Sequence, residues 1–461
     1  METVDKKIKI NTVATNGILL VLFAGLFLSG NYGLAGDSNS YITMGITREP
    51  GYAIVLWVVR TLFGGETYYI PLAFLQNAFA YISVVCVAQY FGKKMFGNCL
   101  GYWISALVLT MPYLLTPFFS RTHLVMANKI MAEGITLPLY YFFMLYIVKV
   151  IFEDDSLLKN ATIALIISFL LVVARGQLIL SAIIWLITVS IRLLLEKRYR
   201  KIYIPLIALL LLLACNGIIT KIYHGTNSGV FASTASSKPM ILANVLYVSE
   251  PEDGEQIQDV KLKELFERVL RELEQNKLLY HYAEGNMLDK AVHHEACHDT
   301  ISFDYFEPIK NDIYYHSDHH EILMADGYAT YIIKQDEIAA SLTGELIKNN
   351  WPRYLENYVN MCALGFVRSI AMEHPLLNWY ALFVYVIGIG ALCYVWKRDG
   401  FTKEVFFFGM TYIMIIGFVT ATSLFLQCIT RYMIYNLPFF YIAGFLLLLK
   451  ILPVGKFYRR G

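Results

Sequence analysis

Ten long apolar runs recur along the chain, near residues 15–34, 67–91, 98–119, 124–151, 158–174, 177–195, 202–220, 376–396, 404–426 and 431–452. A helix needs about 20 apolar residues to cross the hydrocarbon core of a bilayer, so the pattern predicts ten transmembrane helices. The fourth run is the irregular one, because Asn128, Lys129 and Glu133 occupy its first half. Between the seventh and eighth runs the pattern changes. The segment "DVKLKELFERVLRELEQNKLLYHYAEGNML" sets apolar residues at three- and four-residue spacing with charges between them, the signature of an amphipathic helix.

A shorter pattern follows the first run, in "GLAGDSNSYITMGITREPGYAIVLWVVRTLFGG" at residues 33–65. "GYAIVLWVVRTLF" is apolar but contains Arg60 and is too short to span, so it is expected to lie in the membrane interface. "SNSYITMGI" predicts another short helix, with Arg48-Glu49-Pro50-Gly51 as the turn between the two. Asp37 then stands at the membrane surface near a helix N-terminus, where it or Ser38 could serve as the cap. The expected fold is an all-α polytopic membrane protein of about ten spans, with interfacial helices in the first outer loop and a mostly helical extracytoplasmic subdomain.

Composition agrees with this class: 57% of the residues are hydrophobic, 16% are charged, and the mean hydropathy is +0.50, well outside the range of soluble globular domains. If ten spans alternate, Lys6, Lys7, Lys9, Lys93, Lys94, the "EKRYRK" run, Lys397, Arg398, Lys403 and the closing "KFYRR" share one side. The bias of basic residues to the inside makes that side the cytoplasm of a plasma membrane, with both termini on it. The first run has "KKIK" before it but no small-residue cleavage site after it, so it reads as a retained span. The expected organisation is a seven-span module over 1–221 with its first outer loop at 35–66, an outer loop domain over 222–370, and a three-span region over 371–461. That loop holds 23 of the 36 acidic residues against 12 basic ones, a split that the overall charge of +2 conceals. Of the seven cysteines, only Cys297 and Cys362 face outward in this scheme, where they could pair.

Eight of the ten histidines lie in the same loop, and His294-Glu295-Ala296-Cys297-His298 satisfies the H-E-x-x-H pattern. On a helix the two imidazoles would share a face toward Zn²⁺ and Glu295 would activate a bound water. A third ligand would have to come from a segment such as "HSDHHE", through His319, His320 or Glu321. Asp299 and Thr300 follow directly, which reads as a polar surface helix rather than the buried helix of a peptidase, and solvated surface histidines are the plainer account.

The stretch "GDSNSY" followed by "REPGY" resembles the first extracytoplasmic loop of the GT-C membrane glycosyltransferases, the group that includes protein O-mannosyltransferases and the lipid A aminoarabinose transferase. Other segments are similar to the same group in the same order: "MAEGITLPL" with Glu133, "VVARGQLIL" with Arg175, "GELIKNNWPRYLENYV" before the return to the membrane, and "TRYMIYNLPFF" with Arg431. The chain departs from that pattern where Ala53 follows Tyr52, and where Ser38 stands at the position in which some subfamilies carry a second acid. A metal-binding acidic pair would then need Glu49 or Glu66 to fold back beside Asp37, and a divalent cation is the one cofactor left open.

The resemblance implies that a sugar carried on a polyprenyl phosphate is transferred, with inversion, to a hydroxyl of a cell-envelope glycan, lipid or protein at the outer face. Such a reaction needs a carboxylate to take the acceptor proton, for which Asp37 is the candidate. It also needs fixed cations on the departing phosphate, for which Arg48, Arg121, Arg175, Arg431 and Lys129 are the candidates, since charges at membrane depth line a cavity or pathway. Glu133 is placed as the residue that orients a base or the acceptor, with Glu49, Tyr41 and Tyr52 beside it. No P-loop or G-x-G-x-x-G is present, so a lipid-linked donor is expected and no nucleic acid partner. The competing readings are an O-antigen polymerase or ligase type of enzyme, a zinc-dependent membrane peptidase using His294, Glu295 and His298, and a transporter.

Overall fold

The computed structural model describes residues 2–65, 67–120, 123–315 and 327–452, with side chains from residue 12 onward. Among these residues all regular structure is helical, apart from a single isolated bridge that pairs Gly33 with Lys129. Among the described residues, nine helices are long and apolar enough to cross a membrane: Tyr69–Phe96, Cys99–Phe119, Glu133–Phe152, Leu157–Ala174, Gly176–Leu195, Tyr199–Ser228, Pro375–Asp399, Lys403–Phe425 and Thr430–Ile451. The first run forms a tenth helix, Glu2–Leu28, whose apolar part Thr12–Leu28 is shorter. This is a multi-pass, all-α membrane protein.

The fourth run departs from the expectation of a helix over 124–151. Its helix begins only at Glu133, and residues 123–132 form a loop, buried from Met126 onward, with one short 3-10 turn at Met126–Asn128. The cause lies in the polar residues that made the run irregular. Asn128 donates to the carbonyls of Leu26 and Gly30, while Gln76 donates to those of Ala127 and Lys129. Backbone groups that a helix would have satisfied internally are met by side chains instead, which is how irregular backbone survives at membrane depth.

The bundle has a centre and a rim. Glu133–Phe152 is buried on nearly every side, with Tyr140, Tyr141, Phe143 and Met144 in one continuous core with Phe407, Phe418, Phe439 and Phe440. Tyr199–Ser228 and Pro375–Asp399 instead leave Leu206, Leu210, Ile218, Phe383, Val386 and Ile389 exposed, as peripheral helices facing lipid do. At one end of the bundle the basic loops are tied by ion pairs, with Lys403 2.9 Å from Asp154 and Lys450 2.8 Å from Glu404. The opposite end carries the loop domain.

That domain packs Lys238–Tyr247, Val260–Gln275, Met287–Asp299 and Glu307–Tyr315 against the first half of a long helix, Tyr328–Ile370. The amphipathic pattern operates as read: Leu262, Leu265, Phe266, Val269, Leu270 and Leu273 are buried, and Asp259 caps the helix by accepting from Leu262 N at 2.9 Å. The helix stops at Gln275, however, because Lys277 takes a positive φ and a new helix starts at Asn286 with a reciprocal capping box. At 43 residues the long helix is roughly 65 Å in length. Its second half enters the bundle, where Tyr354 and Tyr358 donate to the carbonyls of Leu424 and Thr420.

All seven cysteines are free. Cys297 is buried in the core of the loop domain and Cys362 packs against the membrane core, so the two do not pair.

Candidate functional site

Asp37 precedes a five-residue helix, Ser38–Ile42, yet its carboxylate makes no cap hydrogen bond. It is aimed across the loop, where Oδ1 lies 2.9 Å from Arg48 and Oδ2 lies 2.9 Å from Arg431. Ser38 does the local anchoring: its hydroxyl accepts from Ala35 N and donates to the carbonyl of Ile130 in the buried loop. The capping reading of Asp37 therefore gives way to a cross-chain one.

Each position of the Arg48–Tyr52 turn has its own physical reason. Arg48 donates to Asp37 and to Ser40 Oγ, and its guanidinium lies 5.1 Å over the ring of Tyr41. Glu49 turns away from Asp37 and accepts from Thr220 at 3.1 Å and Thr234 at 2.8 Å, so it supplies no second acid beside Asp37. Pro50 opens the helix Pro50–Phe63 at its first position, where its missing N–H costs nothing. Gly51 lies against the backbone of Ala174, and a Cβ there would sit 2.8 Å from it. Tyr52 is fully buried and donates to Gln76, and Tyr41 packs edge-on to it, so Tyr52 supports the loop instead of facing a substrate. The apolar remainder of the helix buries Ala53, Leu56 and Val59 and exposes Trp57, Leu62 and Phe63, as a short interfacial helix does.

The close contact at Gly51 delivers Arg175, the residue after Ala174. Arg175 pairs with Glu133 at 2.6 Å, and Glu133 lies 3.8 Å from Arg431. Glu133 thus stands between two of the arginines. Five charged side chains from four parts of the chain form one cluster: Asp37, Arg48, Glu133, Arg175 and Arg431. Tyr432 stands between two of the cations, with Arg175 at 4.8 Å and Arg431 at 4.9 Å from its ring. The sequence reading missed this residue, although the Arg-Tyr pair of "TRYMIYN" was in view.

The electrostatics of the cluster are lopsided. Three guanidinium groups face two carboxylates, leaving one positive charge in excess, and a half-buried cationic site of this kind favours an anion. Burial pushes the Asp37 carboxyl up, but Arg431, Arg48 and Arg175 together pull it down further, so it lies below the ordinary carboxylate value. The carboxyl of Glu49 goes the other way, raised by burial against the opposing pull of its bonds from Thr234 and Thr220.

Other expected residues stand elsewhere. The ammonium of Lys129 donates to Asn31 at 2.9 Å and belongs to the packing of the first helix end. Arg121, Glu66, His319, His320 and Glu321 lie outside the described residues. His294 places Nε2 2.9 Å from Asn244 Oδ1, while both nitrogens of His298 are engaged, one with Asp299 and one with the carbonyl of Met240. Glu295 points to Arg368 at 2.6 Å. The pattern does lie on a helix, but it is buried, not a polar surface, and its three side chains share no partner among these contacts. Among the described residues no group of three His, Cys, Asp or Glu side chains is arranged to hold a metal ion.

An apolar groove of about 850 Å³ lies between the helices Cys99–Phe119, Pro375–Asp399 and Thr430–Ile451, lined by residues including Ile104, Val108, Met111, Phe383, Ile387 and Phe440. At the end of the bundle that carries the site, Met372 and Leu437 line it and pack with Ile434, one turn beyond Arg431. The charged cluster and the apolar groove are thus joined by the short segment Arg431–Leu437. Known protein families, curated proteins and solved structures contain no match to this chain.

Proposed function

We propose that the protein is a membrane glycosyltransferase of the GT-C kind, moving a sugar from a polyprenyl-phosphate donor to a hydroxyl of a cell-envelope acceptor on the extracytoplasmic face. The observation that carries this reading is the convergence of Asp37, Arg48, Glu133, Arg175 and Arg431 beside the apolar groove. The groove suits an isoprenoid chain, and the arginines suit its phosphate.

In this scheme the acceptor oxygen attacks the anomeric carbon and its proton passes to the Asp37 carboxylate. The new oxygen–carbon bond forms as the bond from the anomeric carbon to the phosphate oxygen breaks, with inversion. The bonding pair leaves on the polyprenyl phosphate. Arg48, Arg175 and Arg431 meet the charge that develops there, which lowers the barrier more than it stabilises the bound donor. A carboxylate held between two arginines is a weak base. Donor phosphate sharing those arginines raises the basicity of Asp37 when the donor is in place.

Mass spectrometry of polyprenyl-linked sugars and envelope glycans tests this in cells carrying the intact protein or Asp37→Asn. The expected result is accumulation of one lipid-phosphate sugar with loss of one glycan substituent. Unchanged pools in cells that express the variant well would remove Asp37 from the chemistry and the glycosyltransferase reading with it.

A further inference from the structure

We propose that the His294-Glu295-Ala296-Cys297-His298 stretch is a positioning clamp: through Arg368, Glu295 fixes the chain break before Arg431 and so aims that arginine into the charged cluster. The inference rests on the reading above for what Arg431 does once aimed.

Helix Lys403–Phe425 ends at Leu426, and the next helical turn begins at Thr430. Leu426 and Ile429 are extended, and the backbone bond internal to the break runs from Ile429 N to Gln427 O. Four residues without a helical ladder do not by themselves fix the direction of the residue that follows. The missing constraints come from the loop domain and the long helix. Arg368, buried on Tyr328–Ile370, donates to the carbonyl of Cys428 at 2.9 Å while pairing with Glu295 at 2.6 Å. Gln427 donates to Asp299 at 3.0 Å, and His298 meets the same carboxylate oxygen at 2.9 Å. Glu373, 3.9 Å from Arg368, accepts from the hydroxyl of Thr430, the residue adjoining Arg431.

Two residues one turn apart on one helix of the loop domain, Asp299 directly and Glu295 through Arg368, thus end on two adjacent positions of the membrane break, Gln427 and Cys428, while Glu373 holds Thr430 just beyond it. Both Glu295 and Arg368 are buried, and loss of Glu295 leaves Arg368 drawn to Glu373, whose carboxylate is 3.9 Å away. The arginine would then turn from the Cys428 carbonyl and release the break. This gives the H-E-x-x-H pattern a role in which its carboxylate binds a guanidinium instead of a water, and it joins the acidic loop domain to the site.

The test uses the full chain in lipid nanodiscs, with binding of undecaprenyl phosphate as the readout and thermal unfolding measured alongside. Glu295→Gln is expected to weaken binding about tenfold, with Glu295→Asp restoring most of it. Combined with Arg431→Lys it should bind no worse than Arg431→Lys alone, the non-additivity of residues that act through one another. Gln427→Ala, which leaves the buried ion pair in place, should show the same non-additivity if Glu295→Gln fails to fold. Additive losses, or a lowered unfolding temperature with unchanged affinity, would overturn the clamp and leave a merely structural ion pair. If Arg431→Lys itself leaves binding unchanged, the glycosyltransferase reading of the cluster falls, and the clamp falls with it.

Discussion

Asp37 sits between Arg48 and Arg431, and the sign of their effect sets how activity should respond to acid. Burial raises its carboxyl, but the three arginines outweigh burial and hold it below the ordinary value. A carboxylate with a depressed folded-state pKa stays ionised, and keeps its ion pairs, until pH falls through that lowered value. The kcat/KM for transfer, which reports the donor-free enzyme, is therefore expected to stay level as pH drops through the ordinary carboxylate range. Arg48→Met removes one of the three lowering charges, so the acid limb of the kcat/KM profile should move to higher pH. A limb that stays in place, measured with the donor identified from the lipid pool, would separate Arg48 from the base.

At the scale of elements, the site depends on how closely the short interfacial helix approaches a spanning one. Gly51 is the point of contact, because a side chain there would press on the backbone of Ala174, next to Arg175. Gly51→Ala is expected to cost about 1–3 kcal/mol of stability and to weaken transfer by shifting Arg175 away from Glu133. Unfolding of the purified protein and transfer in membranes read the two effects separately, and a neutral variant on both would show that the approach is dispensable. A break near Pro50 was legible in the sequence, although Pro50 and Gly51 open the helix instead of forming the turn before it. Its purpose was not, because Ala174 lies more than a hundred positions away in the chain. Glu49 shows the same limit: its place in the same loop left it able to fold back beside Asp37, while Thr220 and Thr234 decided its direction.

At the scale of the whole molecule, the loop domain and the charged cluster share one end of the bundle, and the lysine-rich loops share the other. The positive-inside bias then predicts that the domain is extracytoplasmic. A periplasmic-type reporter inserted after Glu284 should be active, and one fused after Lys397 should be inactive. The reverse pattern would place the cluster at the cytoplasmic face and require a different donor.

The sequence by itself determined the class, most of the span positions and the presence of an amphipathic helix after Asp259, though not where it ends, because the bilayer and the aqueous face impose periodicities that any single segment must obey. It also contained every member of the cluster, from Asp37 to Arg431, as charges adjoining apolar runs. The tertiary structure decided the rest: which spans are central and which face lipid, that 123–132 is a loop, that Lys129 meets Asn31 and Tyr52 is buried against Tyr41, that Tyr432 adjoins the cluster, and that Glu295 pairs with Arg368. Lipid and protein interior are equally apolar, so a spanning helix carries no polar stripe to mark its partners. Where a buried charge points is set by the charges it meets from distant segments, and those meetings exist only once the helices pack.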